Sequence, residues 1–436
     1  MFRLNDLPPE LFSNVIHELV SDIGINEAWR LRETSRLFAA EIDNNVVSKQ
    51  RLDINNKENT LNIAIGKAAK YLFYQVIRKQ PDPHTRPALP LLVRRLASYL
   101  QEELGVPAKE EYKTIRDLCQ GLVNTLGSTQ IYWLIQKEQP LTMQKHPFLE
   151  PPKELSGNQK LFASISIRSH TLTEKLLAEI NTTHEFELPI PPLEVALGSN
   201  DEKLYGILLS RIESYTGTEK QQSISQLGVD AAIIHSIKIG NLTHTKQLVQ
   251  LRESVEPRVA AEASRFWLVT AIETRQLTVA QRFVNMFPEL SQRNLTHLTV
   301  VTRTCQTGST DMMNLLINEG SLDLSKGNVR TLPLACAVRN GSPAIIEAII
   351  DAGADVNKRL EGRNKKSGPQ TVSELAVRPK DLGILDCLLG RGANLPRKRF
   401  WPTTKRSYQR FREAVSKHDA FSGQVPEWED FMAEEK

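Results

Sequence analysis

Nine histidines, four cysteines and two clusters of basic residues are the side chains of this 436-residue chain best suited to chemistry. A metal site or a nucleophile–base pair needs such groups at short, patterned spacings. The histidines are scattered, and there is no His-Glu-x-x-His, Gly-x-Ser-x-Gly, Gly-x-Gly-x-x-Gly or Gly-x-x-x-x-Gly-Lys-Ser/Thr. Cys119, Cys305, Cys336 and Cys387 lie far apart without a Cys-x-x-Cys pair, as expected of reduced core thiols. His235 is expected to be packed or half-exposed, and Met312-Met313 fall in apolar helical positions. Gly390-Arg391-Gly392 reads as a helix end with its loop. The pattern predicts a non-enzymatic chain with no catalytic residue, metal, cofactor or small-molecule substrate.

The basic clusters suit recognition better. Lys358, Arg359, Arg363, Lys365 and Lys366 crowd one loop against Glu361 alone. Further on, residues 391–417 hold nine Lys/Arg against Glu413, and the tail after His418 is acidic. Arg397, Lys398, Arg399, Lys405 and Arg406 are nuclear-import candidates. Phe400, Trp401, Tyr408 and Phe411 interleave with them, a mix that suits a terminal helix packed as a cap at least as well as nucleic acid. The net charge of +4 is too small to argue for nucleic acid, which is not an expected partner. No run of eighteen apolar residues would span a membrane. The polar opening Met1 to Asp6 is unlike a signal peptide, so the expected location is cytoplasmic and/or nuclear.

The elements that carry these residues recur. Pro333-Leu334 opens a short helix with Ala337 on its packing face, and Gly341 turns the chain. Ile345-Ile346 and Ala348-Ile349-Ile350 line a second helix, and Gly353-Ala354-Asp355 leads out. The same register places small residues at 196, 236, 271, 304, 337 and 376, separated by 40, 35, 33, 33 and 39 residues. Two helices that approach closely leave no room there for a branched side chain. The arrangement resembles the ankyrin repeat, whose period is about 33. Pro192-Leu193 and Pro333-Leu334 keep the middle of the family's Thr-Pro-Leu-His opening, so the array is divergent. The resemblance implies an all-α ankyrin-type helical solenoid with helical caps at both ends, whose concave face binds a protein.

Upstream the register loosens. Thr60 to Ile77 and Val123 to Ile135 each fit one repeat, and 161–180 fits with one residue missing. The divergent repeats are expected over 58–180, with a helical insertion at 81–112, and the clearer ones over 190–395. Residues 396–436 form a basic helix and acidic tail. The opening Leu7-Pro8-Pro9-Glu10-Leu11, a helix carrying Phe12, Val15, Ile16 and Leu19, a second helix from Ala28 to Ile42, and Ser35-Arg36-Leu37-Phe38 resemble an F-box over 1–50. That family docks on the Skp-type adaptor of a cullin ubiquitin ligase, which makes Leu7, Pro8, Glu10, Leu11, Ile16 and Leu37 the adaptor-docking candidates. The match departs in a long stretch over 20–25 and an abbreviated third helix, and the same helices could simply cap the array. The layout as a whole is similar to a family of filamentous-fungal ankyrin proteins. The expected function is a protein-binding scaffold, with a ligase substrate receptor and a nuclear transcriptional co-regulator as the alternatives.

Overall fold

The computed structural model describes residues 7–48, 62–63, 65–78, 85–105, 107–137, 154–179, 191–287, 294–319, 322–325, 332–340, 342–360, 369–377 and 382–434. Over these the chain is all-α, and its helix pairs stack in ankyrin-type register. It divides into two compact units, Met1–His235 and Ser236–Lys436.

In the second unit the first helices Pro257–Glu273, Asn294–Thr307, Pro333–Asn340 and Val372–Ala376 pack each on the next. The second helices Leu242–Val255, Leu277–Met286, Thr310–Asn318, Pro343–Asp351 and Gly383–Gly390 form a parallel row. Ser236, Ala271, Thr304, Ala337 and Ala376 are all fully buried where the helices of a pair meet, as is Ala196 in the first unit. A leucine at such a point would have to displace a neighbouring helix.

At five small residues the chain reverses through a left-handed residue four positions later; the turn expected at Gly341 lies outside the described residues. Gly240 (φ 72°) and Gly308 (φ 69°) fill that place as expected, but so do Asn200 (φ 55°), Arg275 (φ 59°) and Arg168 (φ 59°). The bonding at Gly240 is a Schellman closure. The Asn241 N–H reaches the Ser236 carbonyl at 2.9 Å and the Gly240 N–H reaches Ile237 at 3.0 Å. Arg275 repeats it, with Gln276 bonded to Ala271 at 2.8 Å and Arg275 to Ile272 at 3.0 Å. Arg168 does the same through Ser169 to Ser164 at 2.9 Å and Arg168 to Ile165 at 3.0 Å.

Ser164 is therefore the buried small residue of the 161–180 repeat, and no residue is missing from it. Its hydroxyl lies 2.9 Å from Thr173 Oγ1, just as Ser236 Oγ lies 2.8 Å from Thr245 Oγ1, nine residues on in each case. The Val123 repeat departs in the other direction. Val123 is only half-buried, and Gly127 (φ 83°, ψ 149°) joins Glu111–Leu126 directly to Ser128–Ile135 without a left-handed closure. Cys119 and Leu122 fill the core there instead. Between 81 and 112 the chain forms an amphipathic helix, Ala88–Leu104, which buries Leu89, Val93, Leu96 and Leu100.

The N-terminal helices are Pro9–Ile23, Ile25–Arg30 and Arg36–Ser48. The stretch 20–25 is helical apart from Gly24, whose φ of 83° makes the one break. The second helix, expected to run through Ile42, stops at Arg30. Ser35 Oγ accepts the Phe38 N–H at 3.1 Å and starts a new, 13-residue helix. At the other end Lys405–Ser416 packs on Gly383–Gly390, and Trp428–Glu434 folds back over it. Trp401, Tyr408, Phe411 and Phe431 close this end as one buried aromatic group, with Tyr408 stacked on Phe431 at 4.7 Å.

Candidate protein-binding surfaces

Three of the four thiols are buried in the core, and Cys387 is half-buried. Burial pushes the Cys305 thiol up to about 12, and burial likewise raises Cys119, Cys336 and Cys387. Met312 and Met313 are core residues. The His235 ring lies 3.6 Å from Glu194, largely shielded from solvent. Among the described residues no three His, Cys, Asp or Glu side chains converge as metal ligands, and no helix is long and apolar enough to cross a membrane.

Of the basic loop, Lys358 and Arg359 are described, whereas Arg363, Lys365 and Lys366 lie outside the described residues. The loop springs from a paired base, where Leu360 and Gln370 exchange backbone hydrogen bonds of 2.8 and 2.9 Å. Before that base, Asn357 stitches two loops together: its Nδ2 donates to the Gly392 carbonyl at 2.9 Å and its Oδ1 accepts the Asn394 N–H at 2.7 Å. Lys358 is tied to the Ser325 carbonyl, so Arg359 is the exposed cation beside the paired base.

The N-terminal candidates separate by burial. Ile16 is fully buried between the helices and offers no docking surface; it belongs to the core with Phe12 and Val20. Leu11 and Leu37 are 52% and 47% exposed, Val15 is 40% exposed, Pro8 and Glu10 are exposed, and Leu7 is half-buried.

The import candidates separate by ion pairing. Arg397 forks onto the Glu374 carboxylate, whose side chain is 2% exposed, and also donates to the Pro369 carbonyl. Burial alone would raise the Glu374 pKa, but Arg397 and the Thr371 N–H hold its carboxyl below the usual range. Lys405 pairs with Glu429 at 2.8 Å. Lys398, Arg399 and Arg406 are exposed.

One surface residue escaped the sequence reading. Phe266, on the first helix Pro257–Glu273, is 58% exposed while Trp267 and Leu268 beside it are buried. Its signal was present: three consecutive large apolar residues on a helix cannot all face one core.

Residues 268–359 match the family model described as ankyrin repeats (3 copies). The match spans the helix pairs whose buried small residues are Ala271, Thr304 and Ala337, at the family's spacing. Residues 268–359 are ankyrin repeats. Such repeats generally mediate protein–protein interaction. No curated protein matches the chain.

Proposed function

We propose that this chain is a non-enzymatic scaffold that holds a protein partner on the first-helix face of its ankyrin repeats, the concave side of such stacks. The observation that carries the reading is Phe266. A large aromatic side chain held 58% exposed on a well-packed helix costs apolar hydration, and aromatic anchors dominate interface energetics. Arg265, next to it, and Arg303, on the following first helix, are also exposed and add a polar rim. The basic loop at 358–366 would steer an acidic partner surface to that face.

A photocrosslinking amino acid at position 266 tests this in the cell of origin. It should give a discrete crosslinked partner, whereas the same group at Arg282, exposed on the second helix Leu277–Met286, should not. Equal crosslinking from both positions, or none from 266, would remove the reading.

The N-terminal helices support a second reading, docking on a Skp-type adaptor, through one specific observation. Leu11, Val15 and Leu37 leave apolar surface open on helices whose own core is already closed by Phe12, Ile16 and Ile42. The repeats would then select a substrate for a ubiquitin ligase. Adaptor added to the purified chain should co-elute with it on gel filtration. Nuclear co-regulation has no comparable support, because Arg397 and Lys405 of the import cluster are engaged in ion pairs.

A further inference from the structure

The basic segment 391–417 is far less available than its nine cations suggest. Arg391 pairs with Asp351 at 2.7 Å, Arg397 with Glu374, Lys405 with Glu429 at 2.8 Å, Arg412 with Glu427 at 2.7 Å, and Lys417 with Asp386 at 3.4 Å. The acidic tail supplies two of these partners, so it folds back and neutralises one face of the helix Lys405–Ser416. Arg406 and Arg410 stand apart from that tail contact. They lie one turn apart, both are exposed, and among the described residues neither takes a hydrogen bond or an ion pair.

Both line a cleft of about 620 Å³ beside the last repeat. Its lining joins the apolar side chains of Val377, Leu382 and Pro402 to Arg406, Ser407 and Arg410. We infer that this cleft receives a short acidic segment of a protein partner, an apolar side chain seated on Leu382 and Pro402 with flanking carboxylates on the two guanidinium groups. Two planar forks at one-turn spacing match carboxylates at neighbouring positions of an extended or turning peptide. The inference rests on the scaffold reading and adds a second contact area with a defined partner chemistry.

Nucleic acid fits the same residues less well. A single strand needs open aromatic faces for its bases. Here Tyr408 and Phe411 are fully buried, the Trp401 indole donates to the Pro396 carbonyl from the core, and Arg397 and Arg399 already cover Phe400 at 5.5 and 4.8 Å. Two unpaired cations are also few for a phosphate track.

Fluorescence anisotropy on the full chain tests the proposal. The probe is a fluorescein-labelled peptide with one leucine flanked by glutamates, and its glutamine counterpart is the control. The glutamate peptide should bind at low salt and the glutamine peptide should not. Arg406→Gln with Arg410→Gln should weaken binding by about tenfold or more, with no change in melting temperature, because neither side chain holds the fold. Lys246→Gln with Arg282→Gln, exposed on the second helices Leu242–Val255 and Leu277–Met286, should leave binding intact. Arg406→Glu with Arg410→Glu should switch preference to the corresponding lysine peptide. Unchanged binding in the first double variant, equal loss in the control variant, or tighter and equally Arg406-dependent binding of a single-stranded oligonucleotide would each overturn it. A failure here with crosslinking from position 266 intact removes the cleft and leaves the repeat face standing.

Discussion

Arg275 Nη2 donates to the Thr307 carbonyl at 2.8 Å, and Arg168 Nη2 donates to the Ser199 carbonyl at 2.7 Å in the equivalent place of another repeat. Each arginine occupies the left-handed turn, and each carbonyl lies three residues after the next small buried residue. A left-handed turn costs a residue with a Cβ about 1 kcal/mol. The hydrogen bond to the next repeat, worth about 0.5–1.5 kcal/mol net, offsets that cost. Arg275→Ala keeps the backbone cost and loses the bond, so it should destabilise by about 1 kcal/mol; Arg275→Gly loses both and should be nearly neutral. Thermal melting of the pair would decide it, and an alanine variant as stable as the glycine one would contradict the turn assignment.

Ala337 is fully buried in the same apolar core as Leu334, Val338 and Ile346. Ala337→Leu should overpack the helix pair and cost about 1–3 kcal/mol in a denaturant titration. Ala348→Leu, on the neighbouring helix but partly exposed, should cost much less. Equal costs would mean that 337 is not the packing point.

Glu374 and Arg397 tie the C-terminal cap to the last repeat. The folded Glu374 pKa is depressed, so its contribution is present above the unfolded value, about 4.3, and is lost as pH falls through the lower folded value. Arg397→Met should cost about 1–2 kcal/mol at neutral pH, less than for a fully buried pair because the arginine is half exposed. The difference between parent and variant should shrink below about pH 4, as the parent loses the same interaction. A gap that stays constant in acid would show that packing of the arginine stem, rather than its charge, was lost.

The buried registers at 196, 236, 271, 304, 337 and 376 were legible because small size and spacing are both written in residue type. The turns were legible only where glycine filled them. At Arg168 and Arg275 the left-handed backbone is stabilised by a long side chain reaching another repeat, a tertiary contact that no local pattern carries, and the 161–180 repeat therefore looked one residue short. The basic cluster misled for the opposite reason. Its charges are obvious in sequence, but partners such as Asp351, Glu374 and Asp386 lie 23 to 40 residues earlier in the chain. Ile16 and Leu11 share the same apolar chemistry, and helix packing alone decides which is core and which is surface.

That last distinction sets the test of adaptor docking. Leu11→Asp with Leu37→Asp places charge on exposed positions and should leave the helix content and melting of the chain nearly unchanged. Ile16→Asp buries an unpaired carboxylate and should loosen the N-terminal helices, so it cannot by itself separate docking from folding. If these helices dock, Skp-type adaptor should co-elute with the parent chain and be lost from the Leu11/Leu37 variant while circular dichroism stays the same. If they only cap the repeats, adaptor should fail to co-elute even at high protein concentration, and deleting 1–48 should instead lower the stability of the first unit, exposing apolar surface at its open end.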